Sequence, residues 1–198
     1  MAGRSFSIVP VLDGLYDRGN VSAVLRTAEA LGFQAVHIVE SSGRFKEANR
    51  VTQGAEKWLD IVLWPESSSC VTDLREKGYR IVATSLEEAT PIGQVDFSAP
   101  TAIFFGNERE GVSPEVLEQA DERIVVPMPG FSRSFNISVA AALSLYHIYS
   151  ERRRLLGGHA DLTEPERAAL TASFYLRSVE SSAKILGRHP EDRPAEGC

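Results

Sequence analysis

Three short segments of the chain combine glycine, polar side chains and charge in patterns that could hold a ligand. They read NVSAVLR (Asn20–Arg26), FGNEREGVS (Phe105–Ser113) and VVPMPGFSRSFNIS (Val125–Ser138). The second segment ends the apolar run TAIFF and precedes a helical pattern, which places it at the carboxyl end of a strand, where ligands of α/β proteins usually bind. Taken by itself, that segment could also be a plain βα turn rich in charge.

The third segment runs from a strand through PMPG into the start of a helix. Its two prolines and Gly130 set the path of the backbone. Ser132, Ser134 and Asn136 offer side-chain donors and acceptors next to the free amides of the helix N-terminus. Such a loop can hold a polar ligand, and the same side chains can also cap the helix that follows.

The first segment lies on an amphipathic helix predicted over Val21–Leu31, which Gly32 closes. Asn20 stands where an N-cap belongs. Arg26 falls in the middle of this helix, where an arginine is ordinarily a solvated surface charge. It gains a functional meaning only if the fold places this helix beside the other two segments.

The common nucleotide-binding and metal-binding motifs are missing from the sequence. There is no GxGxxG after the first strand and no GxxxxGK[ST] anywhere, which disfavours a Rossmann dehydrogenase and a P-loop enzyme. Cys70 and Cys198 lie too far apart for a CxxC site, and the four histidines show no ligand spacing. We therefore expect no metal centre and a reducing compartment.

Composition bounds the size of the fold and bears on the partner. With 198 residues and 43% hydrophobic positions, the chain can build one α/β domain with a substantial core. A net charge of −6 is unexpected for a nucleic-acid binder, because phosphate neutralisation dominates such affinities. The basic residues nevertheless cluster, which keeps a local basic face possible. The clusters are Arg44, Lys46, Arg50 and Lys57, and Arg152, Arg153 and Arg154.

Short β-branched runs alternate with helical patterns, as expected for a mostly parallel sheet covered by helices on both faces. The predicted strands are Ser7–Leu12, Ala35–Val39, Ile61–Leu63, Arg80–Ala83, Ala102–Phe105 and Ile124–Val126. Besides the first helix, the predicted helices are Val71–Lys77, Pro114–Ala120 and Ile137–Arg154.

The pattern divides the chain into a core over residues 1–155 and a C-terminal helical extension with a frayed tail over residues 156–198. Thr163 and Glu166 form a capping box that opens a final helix reaching about Leu186. One face of that helix carries mostly small apolar residues that should dock closely on this subunit or on a partner. These residues are Ala168, Ala172, Tyr175, Val179, Ala183 and Leu186.

No apolar run approaches the roughly 18 residues of a membrane span, and no signal peptide is visible at the start. We expect a soluble, intracellular, cytoplasmic protein. Only a few residues precede the first predicted strand, so a missing upstream segment that targets an organelle or binds RNA is the alternative.

Taken together, the three segments resemble the SpoU or TrmH branch of the SPOUT methyltransferases. Its motifs are an Asn-to-Arg helix, an FGxExxG loop and an IPMxGxxxSLNVSxAxA segment. This chain supplies NVSAVLRTAEALG, FFGNEREGVS and VVPMPGFSRSFNISVAAAL in that order within about its first 155 residues. Phe135 and Ile137 replace the usual Leu and Val around Asn136, and both exchanges keep the positions apolar.

The resemblance implies a C-terminal trefoil knot, an exception to the rule against knots, and an obligate homodimer. It also implies that S-adenosylmethionine lies folded in the knot and is contacted mainly by the backbone. The matching cofactor-binding residues are Thr84, Ser85, Leu86, Gly106, Asn107, Glu108, Val126, Met128, Ser134 and Phe135.

The resemblance gives Arg26 the role of activating a ribose 2′-hydroxyl, and it makes Asn20, Glu108, Ser134 and Asn136 the other catalytic candidates. Arginine is effectively always protonated, so we expect Arg26 to donate to the ribose or a phosphate and to stabilise alkoxide charge. It could serve the cofactor of a partner subunit, and the final proton acceptor stays open. Asn20 is expected to fix the start of the helix and the orientation of Arg26.

Four arginines are candidates for RNA contact. Arg109 is either a phosphate contact or a surface charge. Arg152, Arg153 and Arg154 end the long helix, where basic residues also favour the helix dipole. Trp58 and Trp64 flank an apolar stretch, and we favour core positions for them over base-stacking platforms.

The leading hypothesis is an S-adenosylmethionine-dependent RNA 2′-O-ribose methyltransferase that acts on guanosine in tRNA. Ribosomal RNA is the alternative substrate. A catalytically silent SPOUT module that binds RNA, and a small-molecule α/β enzyme, are the hypotheses from other classes. The sequence does not name the modified nucleotide.

Overall fold

The computed structural model describes residues 3–14, 17–40 and 54–178. The chain divides into two compact units, and the division falls between Leu162 and Thr163. The first unit contains the sheet and its helices. The second unit contributes one described helix.

The first unit is built on a seven-stranded sheet within the described ranges, with the order β3-β2-β1-β6-β4-β7-β5. Every strand pair in it is parallel, as the sequence predicted. The strands are β1 (Ile8–Asp13), β2 (Ala35–Val39), β3 (Asp60–Trp64), β4 (Arg80–Thr84), β5 (Thr90–Pro91), β6 (Thr101–Phe105) and β7 (Glu122–Val125). The two-residue β5 is too short to leave a periodic signal, and the sequence analysis missed it.

Five α-helices connect and cover these strands in the described residues. They are α1 (Arg18–Ala30), α2 (Ser67–Glu76), α3 (Pro114–Gln119), α4 (Ile137–Leu156) and α5 (Glu164–Ser178). Two short 3-10 helices lie at Ala55–Trp58 and Ile92–Gln94.

The sheet separates two apolar cores, because alternate side chains of each strand point to opposite faces. On β1, Ile8 and Leu12 join the core with α1 and α4, which contribute residues such as Leu25. Val9 and Val11 face the other way and join the core with α2 and α3. The prediction of helices on both faces is confirmed.

The start of α1 differs from the prediction. Asp17 is the N-cap, and its carboxylate accepts a hydrogen bond from the backbone N–H of Asn20 at 2.8 Å. Asn20 therefore lies in the first turn of the helix, and the assignment of Asn20 as the cap is wrong. The glycine stop is confirmed, since Gly32 adopts a left-handed φ of 83°.

Helix α2 begins at Ser67, four residues before the predicted Val71. The apolar periodicity starts only at Cys70, so the polar first turn gave no signal. Ser67 is held there by a long-range contact, because its hydroxyl donates to the buried carboxylate of Asp13 at 2.6 Å. That contact could not be read from neighbouring residues.

The first unit continues past residue 155 because Asp161 ties its last segment to its beginning. The Asp161 carboxylate accepts from the backbone N–H groups of Phe6 at 2.9 Å and Ser7 at 3.0 Å. It also accepts from the guanidinium of Arg152 at 3.3 Å. Only 2% of Arg152 is exposed, and its Nη1 donates to the backbone carbonyls of Phe97 and Ser98. The prediction that Arg152 contacts RNA is therefore wrong.

In the second unit, the predicted capping box is confirmed. The Glu166 carboxylate accepts from the hydroxyl of Thr163 at 2.7 Å and from its backbone N–H at 2.8 Å. The buried positions of α5 are Leu170 and Phe174. The predicted stripe residues of α5 are exposed, and their docking on this subunit or on a partner stays a prediction. They are Ala168, Ala172 and Tyr175, while Val179, Ala183 and Leu186 lie outside the described residues.

Candidate active site

The loops that follow β4, β6 and β7 converge on one cavity of about 630 Å³. These three strands are adjacent in the sheet order β6-β4-β7, so their carboxyl ends lie side by side. The chain places β2 and β3 on one side of β1 and then crosses to build β4 beyond β6. Crevices at such a change of direction are the usual ligand sites of open α/β sheets.

All the residues predicted to bind the cofactor line this cavity, although they come from three separate segments. They are Thr84, Ser85, Leu86, Gly106, Asn107, Glu108, Val126, Met128, Ser134 and Phe135. The structure thus brings together what the sequence analysis assigned by resemblance.

The loop after β6 folds back tightly on itself. Asn107 and Gly111 exchange backbone hydrogen bonds of 3.1 and 3.0 Å, and the Asn107 side chain accepts from the N–H groups of Arg109 and Glu110. A Cβ atom on Gly106 would lie 1.8 Å from the carbonyl carbon of Gly111. Because that atom is backbone and cannot rotate away, only glycine fits at residue 106.

The loop after β4 uses its hydroxyl groups on its own backbone. The Thr84 hydroxyl donates to the carbonyl of Phe104 at 3.0 Å. The Ser85 hydroxyl donates to the carbonyl of Glu87 at 2.8 Å and accepts from its N–H. A ligand in this cavity therefore meets backbone groups and shape more than free hydroxyls here, which supports backbone recognition.

Asn20, Glu108 and Asn136 form one hydrogen-bonded network at the edge of the cavity. The Asn20 amide donates to the Glu108 carboxylate, and the Asn136 amide donates to the Asn20 side-chain oxygen at 3.3 Å. Asn136 also caps α4 by accepting from the N–H of Ser138, as predicted. The network joins α1, the loop after β6 and the start of α4. Asn20 thus connects the three motif segments, and it does not cap α1.

Arg26 lies apart from this network. It is six residues beyond Asn20 on α1, which corresponds to about 9 Å along the axis and to a different side of the helix. Its exposed side chain lines a second cavity together with Lys57, Trp58 and Tyr146. Among the described residues, its guanidinium makes no hydrogen bond or ion pair. A single chain therefore does not bring Arg26 to the cofactor cavity.

Ser144 is a cavity residue that the sequence analysis missed. Its side chain is fully buried, and within the described part of the chain its hydroxyl has no hydrogen-bond partner. The same face of α4 contributes Ile137 and Ala140 to the cavity. The helical spacing i, i+3, i+7 from Ile137 is the signal that could have found Ser144. Because an orphaned buried hydroxyl costs free energy, its position favours a polar ligand.

The lining suits a nucleoside that carries a positive charge. Leu86, Met128 and Phe135 offer apolar surface to a heterocycle, and the Ser144 hydroxyl offers a hydrogen bond. Carboxylates outnumber the cations of the lining, where Glu87, Glu108 and Glu110 face a single arginine, Arg109. Such a rim favours a cationic group by simple electrostatics. S-adenosylmethionine, with its adenosine and its sulfonium, fits these residues.

The remaining candidates for RNA contact have different surroundings. Arg109 lies at the cofactor cavity. Arg153 is exposed and lies over the ring of Tyr149 at 5.5 Å, whereas Arg154 is paired with Glu151 at 2.7 Å. Their contact with RNA stays a prediction. The residues Arg44, Lys46 and Arg50 lie outside the described ranges.

The two tryptophans have different surroundings. Trp64 packs against the core and donates from its indole N–H to Nδ1 of His37 at 3.1 Å, so its core assignment is confirmed. Trp58 is half-buried and lines the second cavity.

The helices in the described ranges include none with the length and hydropathy of a membrane span.

Several curated proteins resemble this chain over most of their length. A tRNA (guanosine(18)-2′-O)-methyltransferase of Thermus thermophilus is 36% identical over 159 residues, which cover 80% of this chain and 81% of that protein. The enzyme of the same name from Escherichia coli is 32% identical, with 77% of this chain and 67% of that protein covered.

Solved structures agree with these relatives. The A. aeolicus TrmH/SpoU tRNA modifying enzyme superposes with a TM-score of 0.79 at 31% identity, covering 90% of this chain and 93% of that chain. The AdoMet-bound rRNA methyltransferase of Sinorhizobium meliloti gives a TM-score of 0.67 at 27% identity, covering 78% of this chain and 58% of that chain.

The fold and the cavity, together with these likenesses, define the class of the protein as an S-adenosylmethionine-dependent RNA methyltransferase. The family model described as "SpoU rRNA Methylase family" matches residues 7–146. The chain therefore belongs to the SpoU methylase family.

Proposed function

We propose that this protein transfers the methyl group of S-adenosylmethionine to the 2′-hydroxyl of a guanosine ribose in tRNA. The network of Asn20, Glu108 and Asn136 beside the cavity is the observation that carries the proposal, since it joins three sequence segments at one point. Relatives named tRNA (guanosine(18)-2′-O)-methyltransferase support tRNA as the substrate. The S. meliloti rRNA methyltransferase keeps rRNA as the second candidate.

The three loops would hold the cofactor. When bound, S-adenosylmethionine supplies an electrophilic methyl group on a positively charged sulfur. The apolar walls around Leu86, Met128 and Phe135 would hold the heterocycle and exclude water, and the Ser144 hydroxyl would offer a hydrogen bond to the ligand. The backbone of the loops after β4 and β6 would bind the remaining polar groups of the ligand, because the polar side chains of Thr84, Ser85 and Asn107 are already engaged.

The chain's own contribution to the chemistry is positioning and charge. Methyl transfer needs the attacking oxygen in line with the methyl group, and the ribose hydroxyl must lose its proton. Asn20, Glu108 and Asn136 hold the start of α4 and the glycine loop in fixed relation, and Ser134 lines the wall next to them. Arg26 donates to the ribose oxygen and stabilises the negative charge that develops on it.

The proposal includes a homodimer, because the cofactor cavity and Arg26 lie on different parts of one chain. On α4, an exposed apolar ridge consists of Val139, Leu143 and Tyr146, which are 45, 42 and 62% exposed. Ala140 beside it lines the cofactor cavity, and Ala142 lines the cavity of Arg26. An exposed apolar ridge favours association. A second copy packed on it by two-fold symmetry can complete both sites at once.

The trefoil knot implied by the family is also part of the proposal. The segment after β4 lies against the end of β7, because the N–H of Ser85 donates to the carbonyl of Ile124 at 3.0 Å. This closeness supports threading of the segment Val126–Leu143 through a loop. A crystal structure in which the backbone is not knotted would remove the knot from the proposal.

The experiment for the activity uses the purified full chain with methyl-labelled S-adenosylmethionine and separate pools of unmodified tRNA and rRNA. We expect label in tRNA, and 2′-O-methylguanosine after digestion to nucleosides. Label only in rRNA would shift the substrate to the second candidate. If no RNA is labelled and calorimetry detects no binding of S-adenosylmethionine, the proposed activity is wrong.

A further inference from the structure

The loop between β7 and α4 carries an aromatic ring and a cation beside the cofactor cavity. Phe131 is 109% exposed, the most of any exposed large apolar side chain in the described ranges. Every residue from 129 to 136 is exposed, and Arg133 stands two positions from Phe131. A single exposed apolar side chain needs no explanation by itself. Here the exposed ring stands beside a cation and next to the cofactor cavity, so it can contact a ligand that reaches the cavity.

The exposed tip of this loop, residues 129–133, is flanked on both sides by residues of the cofactor cavity. Val126 and Met128 precede it and Ser134 and Phe135 follow it, and all four line the cofactor cavity. Asn136 then anchors the loop to α4 and to Asn20. Whatever the tip contacts therefore lies at the mouth of the cavity, where the methyl group must meet its acceptor.

The charges around the tip favour an anion on its outer side. The guanidinium of Arg133 makes no hydrogen bond or ion pair with any residue in the described ranges, and the same holds for the guanidinium of Arg109 on the loop after β6. Glu87 and Glu110 also line the cavity, whereas the Glu108 carboxylate is already engaged by Asn20. A guanidinium that is free of protein partners in the described ranges, as on Arg133, can bind phosphate oxygens.

An aromatic ring beside an arginine is a common means of recognising single-stranded nucleic acid. Bases stack on aromatic rings regardless of sequence, and arginine pairs with the backbone phosphates. We propose that Phe131 stacks on an unpaired base next to the methylated nucleotide and that Arg133 pairs with its phosphate. The inference rests on the proposed function, because it takes RNA as the substrate of the cavity.

The tip differs from the surface that we assign to the dimer. The ridge of α4 presents Val139 and Leu143 without a charge between them. In the tip, Phe131 is instead followed directly by the polar Ser132 and the charged Arg133. Burying Arg133 against a second copy would cost the desolvation of its charge, unless a carboxylate came with that copy. RNA supplies both the base and the phosphate that these side chains need.

The ring is tested by measuring the tRNA dissociation constant and kcat/KM for Phe131→Ala, Phe131→Leu and Phe131→Trp. We expect the Ala and Leu variants to bind tRNA about 5- to 100-fold more weakly, because stacking on one base is lost. The Trp variant should retain wild-type affinity, since it keeps a flat ring. The affinity for S-adenosylmethionine should be unchanged in all three variants.

The cation is tested by the salt dependence of tRNA binding in Arg133→Ala. Loss of one phosphate contact should lower the slope of log affinity against log salt by about 0.7 to 0.9. Lys77→Ala is the control, because Lys77 is an exposed cation at the C-cap of α2 that pairs with Asp73. Its slope should equal that of the wild-type protein.

Each contrary result has a definite meaning. If Phe131→Leu binds tRNA like wild type, the ring does not stack and the inference is wrong. If Phe131→Ala dissociates the dimer in sedimentation, or loses S-adenosylmethionine binding, the tip serves a second copy or the cofactor instead. Wild-type protein that methylates no RNA would overturn the proposed function and this inference together. Wild-type activity with unchanged Phe131→Ala and Arg133→Ala variants overturns the inference alone.

Discussion

The two cavities beside α4 differ in how complete a single chain makes them. The cofactor cavity has three interlocked loops whose hydrogen bonds are formed within the subunit. The second cavity, of about 970 Å³, is a more open hollow with Arg26 at its wall and no described partner for that guanidinium. One copy therefore builds the cofactor half of the site, whereas the proposed dimer would supply the half that acts on the ribose.

The largest effect is expected at Gly106, because it closes the cofactor cavity. In Gly106→Ala the new Cβ would collide with the backbone of Gly111 and Val112 at 2.0 Å or less. We expect a loss of about 3–5 kcal/mol in the free energy of unfolding and no measurable cofactor binding. Urea unfolding and calorimetry provide the two measurements.

The control for that variant is Gly130→Ala in the loop before α4. A Cβ on Gly130 meets nothing within 4 Å, and its φ is not positive. Its stability should stay within about 0.5 kcal/mol of wild type. Equal losses in both variants would mean that the tight return of the loop after β6 is not what forms the cavity.

Arg26→Ala tests the other half of the comparison. We expect kcat to fall about 100- to 1000-fold, because a donor to the developing alkoxide is lost, while the cofactor affinity stays the same. Arg26→Lys keeps the charge but not the planar fork and should recover only part of the rate. Steady-state methylation of tRNA provides kcat, and calorimetry provides the affinity.

Mixing experiments show whether Arg26 acts across the dimer. A copy with Arg26→Ala and a copy whose cavity is filled by Ser144→Phe are each expected to have little activity alone. When they are unfolded together and refolded at equal amounts, half of the dimers are mixed, and each of those holds one complete site. Recovery of about one quarter of the wild-type rate is expected. No recovery would place Arg26 and the cofactor of the same subunit together.

Acid should lower the free energy of unfolding through two buried histidines that lie outside both cavities. Burial lowers the pKa of His37 and of His159 to about 4, and the nearby charge of Arg152 adds to the effect at His159. The unfolded chain binds these protons near pH 6.5, so the associated stability is full above that pH and is lost as the pH falls toward 4. The loss is up to about 3 kcal/mol for each histidine.

The pH dependence is measured by urea unfolding at pH 7.5 and pH 4.5. His159 lies between the rings of Phe33 and Tyr149, and neither of its ring nitrogens has a partner in the described residues. His159→Leu should therefore make the unfolding free energy less dependent on pH. An unchanged pH dependence in this variant would contradict the role of the buried neutral imidazole.

The smallest effect is expected at Ser144, where one substitution should change stability and cofactor affinity in opposite directions. Ser144→Ala removes a buried hydroxyl without a partner, which should leave the free protein equally stable or more stable by up to about 1 kcal/mol. The same change should weaken cofactor binding about 2- to 10-fold, since one hydrogen bond is lost. Thermal unfolding with and without S-adenosylmethionine measures both, and weaker stability with unchanged affinity would exclude Ser144 as a ligand contact.

Local patterns explain why much of the fold was predictable. β2 agrees with its predicted bounds of Ala35–Val39, and β4 begins at the predicted Arg80. The cap of α4 at Asn136 and the capping box of α5 depend on residues two or three positions apart, so the sequence displays them directly. Elements with little apolar periodicity were not predicted, namely the first turn of α2 and the two residues of β5.

The sequence by itself indicated the family, because the glycine loops and capped helix starts of the three motif segments are encoded in neighbouring residues. The cofactor-lining residues followed only from the resemblance, since Thr84, Ser85 and Leu86 lie outside those segments. Only the tertiary structure decided which distant groups meet. It joined Asn20 to Glu108 and Asn136, buried Arg152 against Asp161, and turned Arg26 away from the cofactor cavity. Such contacts depend on strand order and packing across the sheet, and no local pattern in the chain specifies them.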